Sequence, residues 1–175
     1  MCFNIVILFV LRSNGNGGVT FDIIFGPAYK GIPLGAVVSS ALYSDFGVDV
    51  GFAYNRKEVK DHGEGGSLVG AVLEGKKILI VDDVITAGTA IRESYEELQV
   101  AKAQVVGVVI ALDRAEVRAL DDRISAVQAV ARDLSIDVVS IVNLAELQSF
   151  LEQSSDYDQA TLQNVVNYRK QYGAS

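Results

Sequence analysis

The stretch ILIVDDVITAGTAIRES, residues 78–94, decides the fold. It opens with an apolar run, and two adjacent carboxylates, Asp82 and Asp83, follow that run directly. Small and hydroxyl-bearing residues come next, and a helical pattern begins at Gly88 or Thr89. A short apolar run bounded by polar residues indicates a buried strand. The stretch therefore predicts a strand, a loop with few large side chains, and a helix in succession.

The same alternation of apolar runs and helical patterns continues in both directions along the chain. Strands are predicted at 20–25, 48–55, 104–114 and 137–142, and residues 68–83 are predicted to hold a short strand, a turn near residues 74–75 and a third main strand. Helices are predicted at about 31–47, 88–100, 125–134, 144–152 and 156–172. Continuous apolar strands are expected where both faces of a parallel sheet are covered. The sequence therefore predicts an α/β fold of the Rossmann-like type, a parallel sheet with helices on both faces.

Polar segments follow three of the predicted strands, at 26–31, 82–90 and 113–114. The carboxyl ends of parallel strands lie at one edge of a sheet, and open α/β sheets bind their ligands there. We therefore expect these three segments to surround one site.

The loop after the central strand has the features of a phosphate cradle. Gly88 permits close approach of the backbone, Thr86 and Thr89 offer hydroxyl groups, and the following helix presents free N–H groups. No G-x-x-x-x-G-K-[ST] pattern occurs, so it is not a Walker-type loop. Asp82 and Asp83 would repel a phosphate, which favours contacts to sugar hydroxyls or metal-bound water. Alternatively, the two aspartates only end a strand and cap a turn.

A second unusual segment, YNRKEVKDHGEGG, covers residues 54–66. Three cations are offset by three acids, and three glycines follow or separate them: Arg56, Lys57, Lys60, Glu58, Asp61, Glu64, Gly63, Gly65 and Gly66. Glycines at these positions give the flexibility that a lid over a ligand needs. A solvated surface loop would have the same composition, and His62 would then be an ordinary solvated histidine.

Composition excludes several classes of protein. The chain has 175 residues, a net charge of −7 and a pI near 4.7, so nucleic-acid binding through a basic face is not expected. The single cysteine, Cys2, allows no internal disulfide, and a reducing compartment is the default. One cysteine and one histidine also exclude a usual structural zinc site.

Residues 1–19 differ from the rest. The run MCFNIVILFVLR is too short for a transmembrane helix, which needs about 20 residues, and it lacks the basic start of a signal peptide. We expect a core strand or a mis-assigned start there, no membrane association, and one domain over residues 20–175.

Three motifs carry a resemblance to a known family. ILIVDDVITAGTA resembles the ribose-phosphate motif of the type I phosphoribosyltransferases, and FGPAYKGIPL and AYNRKEVKDHGEGG are similar to the orotate phosphoribosyltransferases. ALDR at 111–114 and the terminal YGAS fit the same family. The resemblance implies transfer of the phosphoribosyl group of phosphoribosyl diphosphate to orotate in pyrimidine biosynthesis. It also implies Mg²⁺ held mainly through the diphosphate and water with no protein residue as a direct metal ligand, a homodimer that shares its lid loop between subunits, and a cytoplasmic location.

The resemblance also implies roles for individual residues. The 5′-phosphate cradle would be formed by Val84, Ile85, Thr86, Ala87, Gly88, Thr89 and Ala90. Asp82 and Asp83 would face the ribose hydroxyls and metal-bound water. Tyr29 and Lys30 would lie beside the diphosphate and the base, and Thr86 and Arg114 would contact orotate. The lid residues Arg56, Lys57, Lys60 and His62 would close on the diphosphate; of these, Arg56, Lys60 and His62, together with Asp82 and Asp83, would be catalytic.

One part of the family pattern is missing from the sequence. The N-terminal segment that forms part of the hood over orotate is not found, and residues 1–18 do not resemble it. We therefore expect an incomplete hood and a truncated or mis-assigned start. Two alternatives remain open at this stage: a non-catalytic domain or inactive copy that binds phosphoribosyl diphosphate, and a purine-type phosphoribosyltransferase.

Overall fold

The computed structural model describes residues 20–57, 67–117, 124–154 and 156–174. The strands are β1 (Ile23–Gly26), β2 (Gly51–Asn55), β3 (Leu68–Gly70), β4 (Lys77–Val84), β5 (Gln104–Asp113) and β6 (Val138–Asn143). The helices are α1 (Gly31–Phe46), α2 (Thr89–Val100), α3 (Ala126–Leu134), α4 (Leu144–Gln153) and α5 (Gln159–Tyr172). The strands form one sheet in the order β3-β2-β1-β4-β5-β6.

All neighbouring strands run parallel except β2 and β3, which are antiparallel. The chain order reverses between β1 and β4, so these two strands flank the topological switch point of the sheet. Ligands of open α/β sheets bind in the crevice outside the carboxyl ends at such a point. The predicted α/β fold is confirmed, with one short antiparallel strand at an edge.

The position of the central strand β4 between two helical layers explains why its residues 78–81 are apolar without alternation. Ile78 and Ile80 pack into a core on the face covered by α2 and α3. Leu79 and Val81 pack into a second core on the face covered by α1. Successive residues of a strand point to opposite faces, so a strand between two helical layers must be apolar at every position.

Local signals set the ends of several helices. Gly47 ends α1 in the left-handed conformation with φ of 66°, as its position after a helical pattern predicted. Ser125 and Gln128 form a reciprocal capping box at the start of α3, and Asn143 and Glu146 form another at α4. β1, β2 and α5 each begin three residues later than predicted, and their ends agree with the prediction to within one residue. No helix in the described ranges has the length and apolar character to cross a bilayer.

Candidate functional site

A cavity of about 280 Å³ opens where β4 gives way to the loop before α2. Thr86 and Thr89 are exposed there. Because α2 begins at Thr89, the N–H groups of its first turn have no earlier helical carbonyl to bond. That turn, all of it described, contains no acidic residue, so its free donors and dipole favour an anion. The cavity is lined by Lys57, Asp82, Val84, Ile85, Thr86, Gly88, Thr89, Ala90, Ile91 and Glu93.

Gly88 is required at the turn into α2. Its φ of 78° is left-handed, and a Cβ at this position would lie 2.5 Å from Val130 Cγ2 and 2.6 Å from Arg92 Nη1. Arg92 passes beneath the turn, where Nη1 donates to the carbonyl oxygen of Ala87 at 2.9 Å and Nη2 donates to Asp133 Oδ2 at 2.9 Å. The guanidinium thereby fastens the cradle loop to α3.

The two aspartates of the motif point to opposite faces of the sheet. The strand runs through both of them and ends at Val84, one residue beyond the predicted segment. Asp82 lines the cavity beside α2. Asp83 reaches the other side, where its Oδ2 lies 2.7 Å from Lys30 Nζ in the loop between β1 and α1. The two carboxylates are therefore neighbours in sequence with different partners.

The surroundings of Asp82 and Asp83 shift their pKa values in opposite directions. Burial, with the nearby charge of Asp83, raises the pKa of Asp82 to about 6, although Oδ1 accepts a hydrogen bond from the Asp83 N–H at 2.9 Å. Partial burial acts in the same direction on Asp83, but hydrogen bonds from Lys30 and the Val84 N–H outweigh it and hold the pKa below its usual value. The hydrogen bond to Asp83 raises the pKa of Lys30 in turn. Among the described residues Asp82 has no ion-pair partner.

A second cavity, of about 290 Å³, lies between the β1–α1 loop and the end of β2. It is lined by Ala28, Tyr29, Ile32, Tyr54, Asn55, Arg56 and Lys57. Lys57 Nζ stands 5.5 Å from the centroid of the Tyr29 ring, within range of a cation–π contact. Because Lys57 lines both cavities, the two spaces meet at its side chain.

Asn55 braces the loop that carries Tyr29 and Lys30. Its Oδ1 accepts a hydrogen bond from the N–H of Ala28 at 2.8 Å. Its Nδ2 donates to Glu97 Oε2 of α2 at 2.8 Å. One side chain at the end of β2 thus ties the β1–α1 loop to the helix that begins at the cradle.

Arg114 follows the last residue of β5 at the same edge of the sheet. Its Nη2 lies 3.1 Å from Glu116 Oε2, and its Nη1 donates to the hydroxyl of Tyr168 at 3.4 Å. Arg114 is close enough to Lys30 for its positive charge to oppose protonation of that lysine. The ends of β1, β4 and β5 therefore bring Lys30, Asp83 and Arg114 to one region.

The structure gathers most of the sequence-predicted residues at this edge, in one group around the cradle and another around Tyr29, Arg56 and Lys57. Lys60 and His62 lie outside the described residues. Sequence reasoning missed the supporting residues Asn55, Arg92, Glu116 and Tyr168. The position of Arg92, one turn after Gly88, is a local signal that could have identified it. Glu116 lies only two residues after Arg114, which is also a local signal. Asn55 and Tyr168 act on residues from 27 to 54 positions away, where the sequence gives no signal.

The site has the donor chemistry for a magnesium ion only if a ligand completes it. Within the described ranges, no three or more His, Cys, Asp or Glu side chains are grouped closely enough to hold a metal ion. Mg²⁺ is bound by oxygen atoms, commonly one or two carboxylates with substrate phosphates and water. Asp82, partly buried and not ion-paired within those ranges, would gain a compensating charge from such an ion.

Comparisons with known proteins agree with this geometry. A family model described as a phosphoribosyl transferase domain matches residues 5–146. The orotate phosphoribosyltransferase of Xanthomonas campestris pv. campestris is 51% identical over 156 residues, covering 89% of this chain and 70% of that protein. Its counterpart in Haemophilus influenzae is 52% identical over 155 residues, covering 89% and 71%. The crystal structure of the Francisella tularensis enzyme of that name superposes with a TM-score of 0.77 at 35% identity, covering 98% of this chain and 75% of that chain.

Proposed function

The chain belongs to the orotate phosphoribosyltransferase family, and from that premise we propose that it joins orotate to phosphoribosyl diphosphate. The products are orotidine 5′-monophosphate and diphosphate, in the pathway that makes pyrimidine nucleotides. Ring N1 of orotate forms a bond to C1 of the ribose, and the bond from C1 to the diphosphate oxygen breaks. The bonding electrons leave with the diphosphate, and the proton of N1 is released to the departing diphosphate or to water.

One observation carries this proposal: an anion-binding helix start and a partly buried carboxylate, Asp82, line the same cavity. A 5′-phosphate fits the N–H groups and hydroxyls at the start of α2, because they donate hydrogen bonds and carry no acid. The ribose hydroxyls then fall beside Asp82, which accepts hydrogen bonds. A bare phosphate would leave that carboxylate without a partner, so a sugar phosphate is the better fit.

The remaining residues address the diphosphate and the base. Charge builds up on the diphosphate as the bond to C1 breaks, and fixed cations stabilise it. Lys30, with Arg56 and Lys57 near the second cavity, supplies that charge, and we assign the lid residues Lys60 and His62 to the same task. Arg114 suits the carboxylate of orotate, because a planar guanidinium binds a carboxylate through two parallel hydrogen bonds.

The proposal extends to the cofactor, the assembly and the domain boundaries. Mg²⁺ supplies charge neutralisation on the diphosphate, and Asp82 and Asp83 are the residues that would hold its water ligands. We propose a cytoplasmic homodimer in which the lid of each subunit closes over the partner's site. We assign residues 20–175 to the phosphoribosyltransferase domain.

The test measures the consumption of orotate in the presence of phosphoribosyl diphosphate and Mg²⁺. The ultraviolet absorbance of orotate reports the reaction. Calorimetry measures the binding of each ligand separately, and adenine replaces orotate as the control acceptor. We expect orotate to be consumed and adenine to be left unchanged. Binding of phosphoribosyl diphosphate without turnover would instead identify a non-catalytic binding domain, and turnover of adenine would identify a purine-type enzyme.

The lid has its own test. We expect Lys60→Ala to lower kcat far more than it weakens the binding of phosphoribosyl diphosphate, because the lid acts mainly as charge leaves with the diphosphate. Single-turnover kinetics and calorimetry give the two quantities independently. Equal losses in both would contradict a role for Lys60 in the departure of the diphosphate.

A further inference from the structure

The guanidinium of Arg114 is held in a closed triangle of side chains. Glu116 Oε2 lies 3.1 Å from Nη2, and the Tyr168 hydroxyl accepts a hydrogen bond from Nη1 at 3.4 Å. The same hydroxyl donates to Glu116 Oε1, which closes the triangle. The hydrogen-bonding pattern is consistent, since the hydroxyl accepts from the arginine and donates to the carboxylate.

Backbone contacts fix the segment that carries this triangle. Asp113 Oδ1 accepts the N–H of Ala115 at 2.7 Å, and Ala115 has a left-handed φ of 52°. The carbonyl oxygen of Ala115 accepts the N–H of Ala174 at 2.7 Å, and the N–H of Val117 donates to the carbonyl oxygen of Tyr172 at 3.0 Å. The end of α5 is therefore fastened to the turn from which Arg114 projects.

The start of α3 holds the same turn from the other side. The carbonyl oxygen of Glu116 accepts the N–H of Ala126 at 2.8 Å, and Val117 pairs with Ser125 in an isolated bridge. With both ends of the turn anchored, movement of the Arg114 side chain is limited by its contacts to Glu116 and Tyr168.

We propose that Glu116 and Tyr168 are positioning residues that hold the Arg114 guanidinium ready for the carboxylate of orotate, so that the C-terminal helix sets the selectivity for the acceptor. This rests on the proposed function. An unrestrained arginine loses much of its rotamer freedom when it binds a ligand, and a guanidinium fixed beforehand avoids most of that loss. Tyr168 makes α5, a helix remote in sequence, part of the acceptor site.

The triangle leaves donors of Arg114 free for a ligand. A guanidinium has five N–H groups, and Glu116 and Tyr168 engage one on each terminal nitrogen. Nε of Arg114 is buried without a hydrogen-bond partner in the part of the chain that the structure describes. A ligand cannot reach this buried nitrogen, so the donors that remain for a planar carboxylate are the second N–H groups of Nη1 and Nη2, while Glu116 and Tyr168 fix the orientation of the guanidinium.

The test separates acceptor binding from binding of the phosphoribosyl donor. Tyr168→Phe removes one hydroxyl, and the matched control Tyr172→Phe removes the same group from a ring 4.9 Å away on the same helix. We expect Tyr168→Phe to raise KM for orotate by about 3- to 10-fold, the effect of one lost hydrogen bond. KM for phosphoribosyl diphosphate should change by less than about twofold. Tyr172→Phe should change neither constant.

Variants of Glu116 give the second arm of the test. Glu116→Ala should weaken the binding of orotate, measured by calorimetry, by about tenfold or more, since it removes both contacts at once. Glu116→Gln keeps an oxygen for the arginine and should restore most of that binding. Uracil, which lacks the carboxylate, is the control acceptor, and any turnover with it should be the same in the wild type and in all variants. Circular dichroism checks the folding of each variant, and Tyr168→Phe decides the question if the alanine variant does not fold.

Two results would overturn the inference. Wild-type chain that binds no orotate would overturn both the proposed function and the role of the triangle. If the wild type binds orotate, a Tyr168→Phe variant that binds orotate unchanged, or that loses affinity for both ligands equally, would overturn the triangle's role alone.

Discussion

Lys30 Nζ lies 2.7 Å from Asp83 Oδ2, and this ion pair joins the loop after β1 to the C-terminal end of β4. The two strands are neighbours that flank the switch point of the sheet. The Lys30 side chain is 76% exposed, so water screens the pair and it contributes little to folding. Its position at the ligand edge gives it a different use, because it holds a cation where the diphosphate is expected.

Substitution of Lys30 should therefore reduce activity without reducing stability. We expect Lys30→Gln to lower kcat/KM for phosphoribosyl diphosphate by about tenfold or more, the effect of one lost charged hydrogen bond. Lys102→Gln is the matched control, since Lys102 is equally exposed at 76% and pairs with Glu74 at the same distance of 2.7 Å. Thermal melts should be the same for both variants and the wild type. A loss of activity in Lys102→Gln as large as that in Lys30→Gln would contradict this assignment.

Asp82 should titrate near neutrality in the protein without ligands. Burial raises its pKa to about 6 from the usual 3.8, so between these values the folded chain binds a proton that the unfolded chain releases. The contribution of this group to stability is therefore greatest below pH 3.8 and declines as the pH rises to about 6. Carbon-13 chemical shifts of the carboxyl groups should show this titration, and Asp82→Asn should remove it.

The pKa of Asp83 shifts in the opposite direction to that of Asp82, so Asp83 serves as the control. Partial burial opposes the shift, but hydrogen bonds from Lys30 and from the backbone hold its pKa below the usual value. Its stabilising contribution is therefore present above its unfolded pKa and is lost as the pH falls. Unfolding experiments across pH 3 to 7 give the difference in unfolding free energy between the wild type and each variant. Plotted against pH, this difference should fall for Asp82→Asn and rise for Asp83→Asn. Parallel slopes would refute the division of roles between the two carboxylates.

Gly88→Ala should damage the cradle through collision as well as backbone strain. Its Cβ would lie 2.5 Å from Val130 Cγ2, in a backbone conformation with φ of 78°. Gly75→Ala is the matched control, because its φ of 73° is similar and no atom lies within 4 Å of its Cβ. Strain alone costs about 1–3 kcal/mol of unfolding free energy, and we expect that loss in both variants.

The difference in unfolding free energy between Gly88→Ala and Gly75→Ala measures the cost of the collision at Gly88. Only Gly88→Ala should lose further stability in urea unfolding, and only it should weaken the binding of phosphoribosyl diphosphate. If Gly75→Ala weakened that binding equally, the close approach at Gly88 would not matter for the ligand.

The sequence predicts the elements around the cradle well, because each rests on a local cause. Residues 78–81 of β4 are all apolar since both faces of the strand are covered there, and α2 begins at Thr89 since Gly88 supplies the left-handed turn. Gly47 ends α1 for the same reason. These features depend on a few neighbouring residues, which a pattern reads directly.

Other features depend on residues distant in sequence, and the sequence alone does not reveal them. Asp82 and Asp83 face opposite sides of the sheet instead of acting as one pair, and the partner of Asp83, Lys30, lies 53 residues away in the sequence. The antiparallel direction of β3 follows from its pairing with β2 and not from its own three residues. Arg114 could be predicted at the site from its place after β5, but its contact with Tyr168 spans 54 residues.

Asn55 makes one such distant contact, with Glu97, and replacing the amide donor of Asn55 with an acceptor tests that contact. Asn55→Asp keeps the oxygen that accepts the Ala28 N–H but replaces the donor to Glu97 with a second carboxylate oxygen. Two acids would then face each other at the former distance of 2.8 Å, and we expect a loss of about 1–3 kcal/mol of unfolding free energy. Adding Glu97→Gln returns a donor to the pair, so the double variant should regain most of this loss. A double-mutant cycle in urea unfolding measures the coupling, and additive effects of the two substitutions would show that Asn55 does not brace the β1–α1 loop through Glu97.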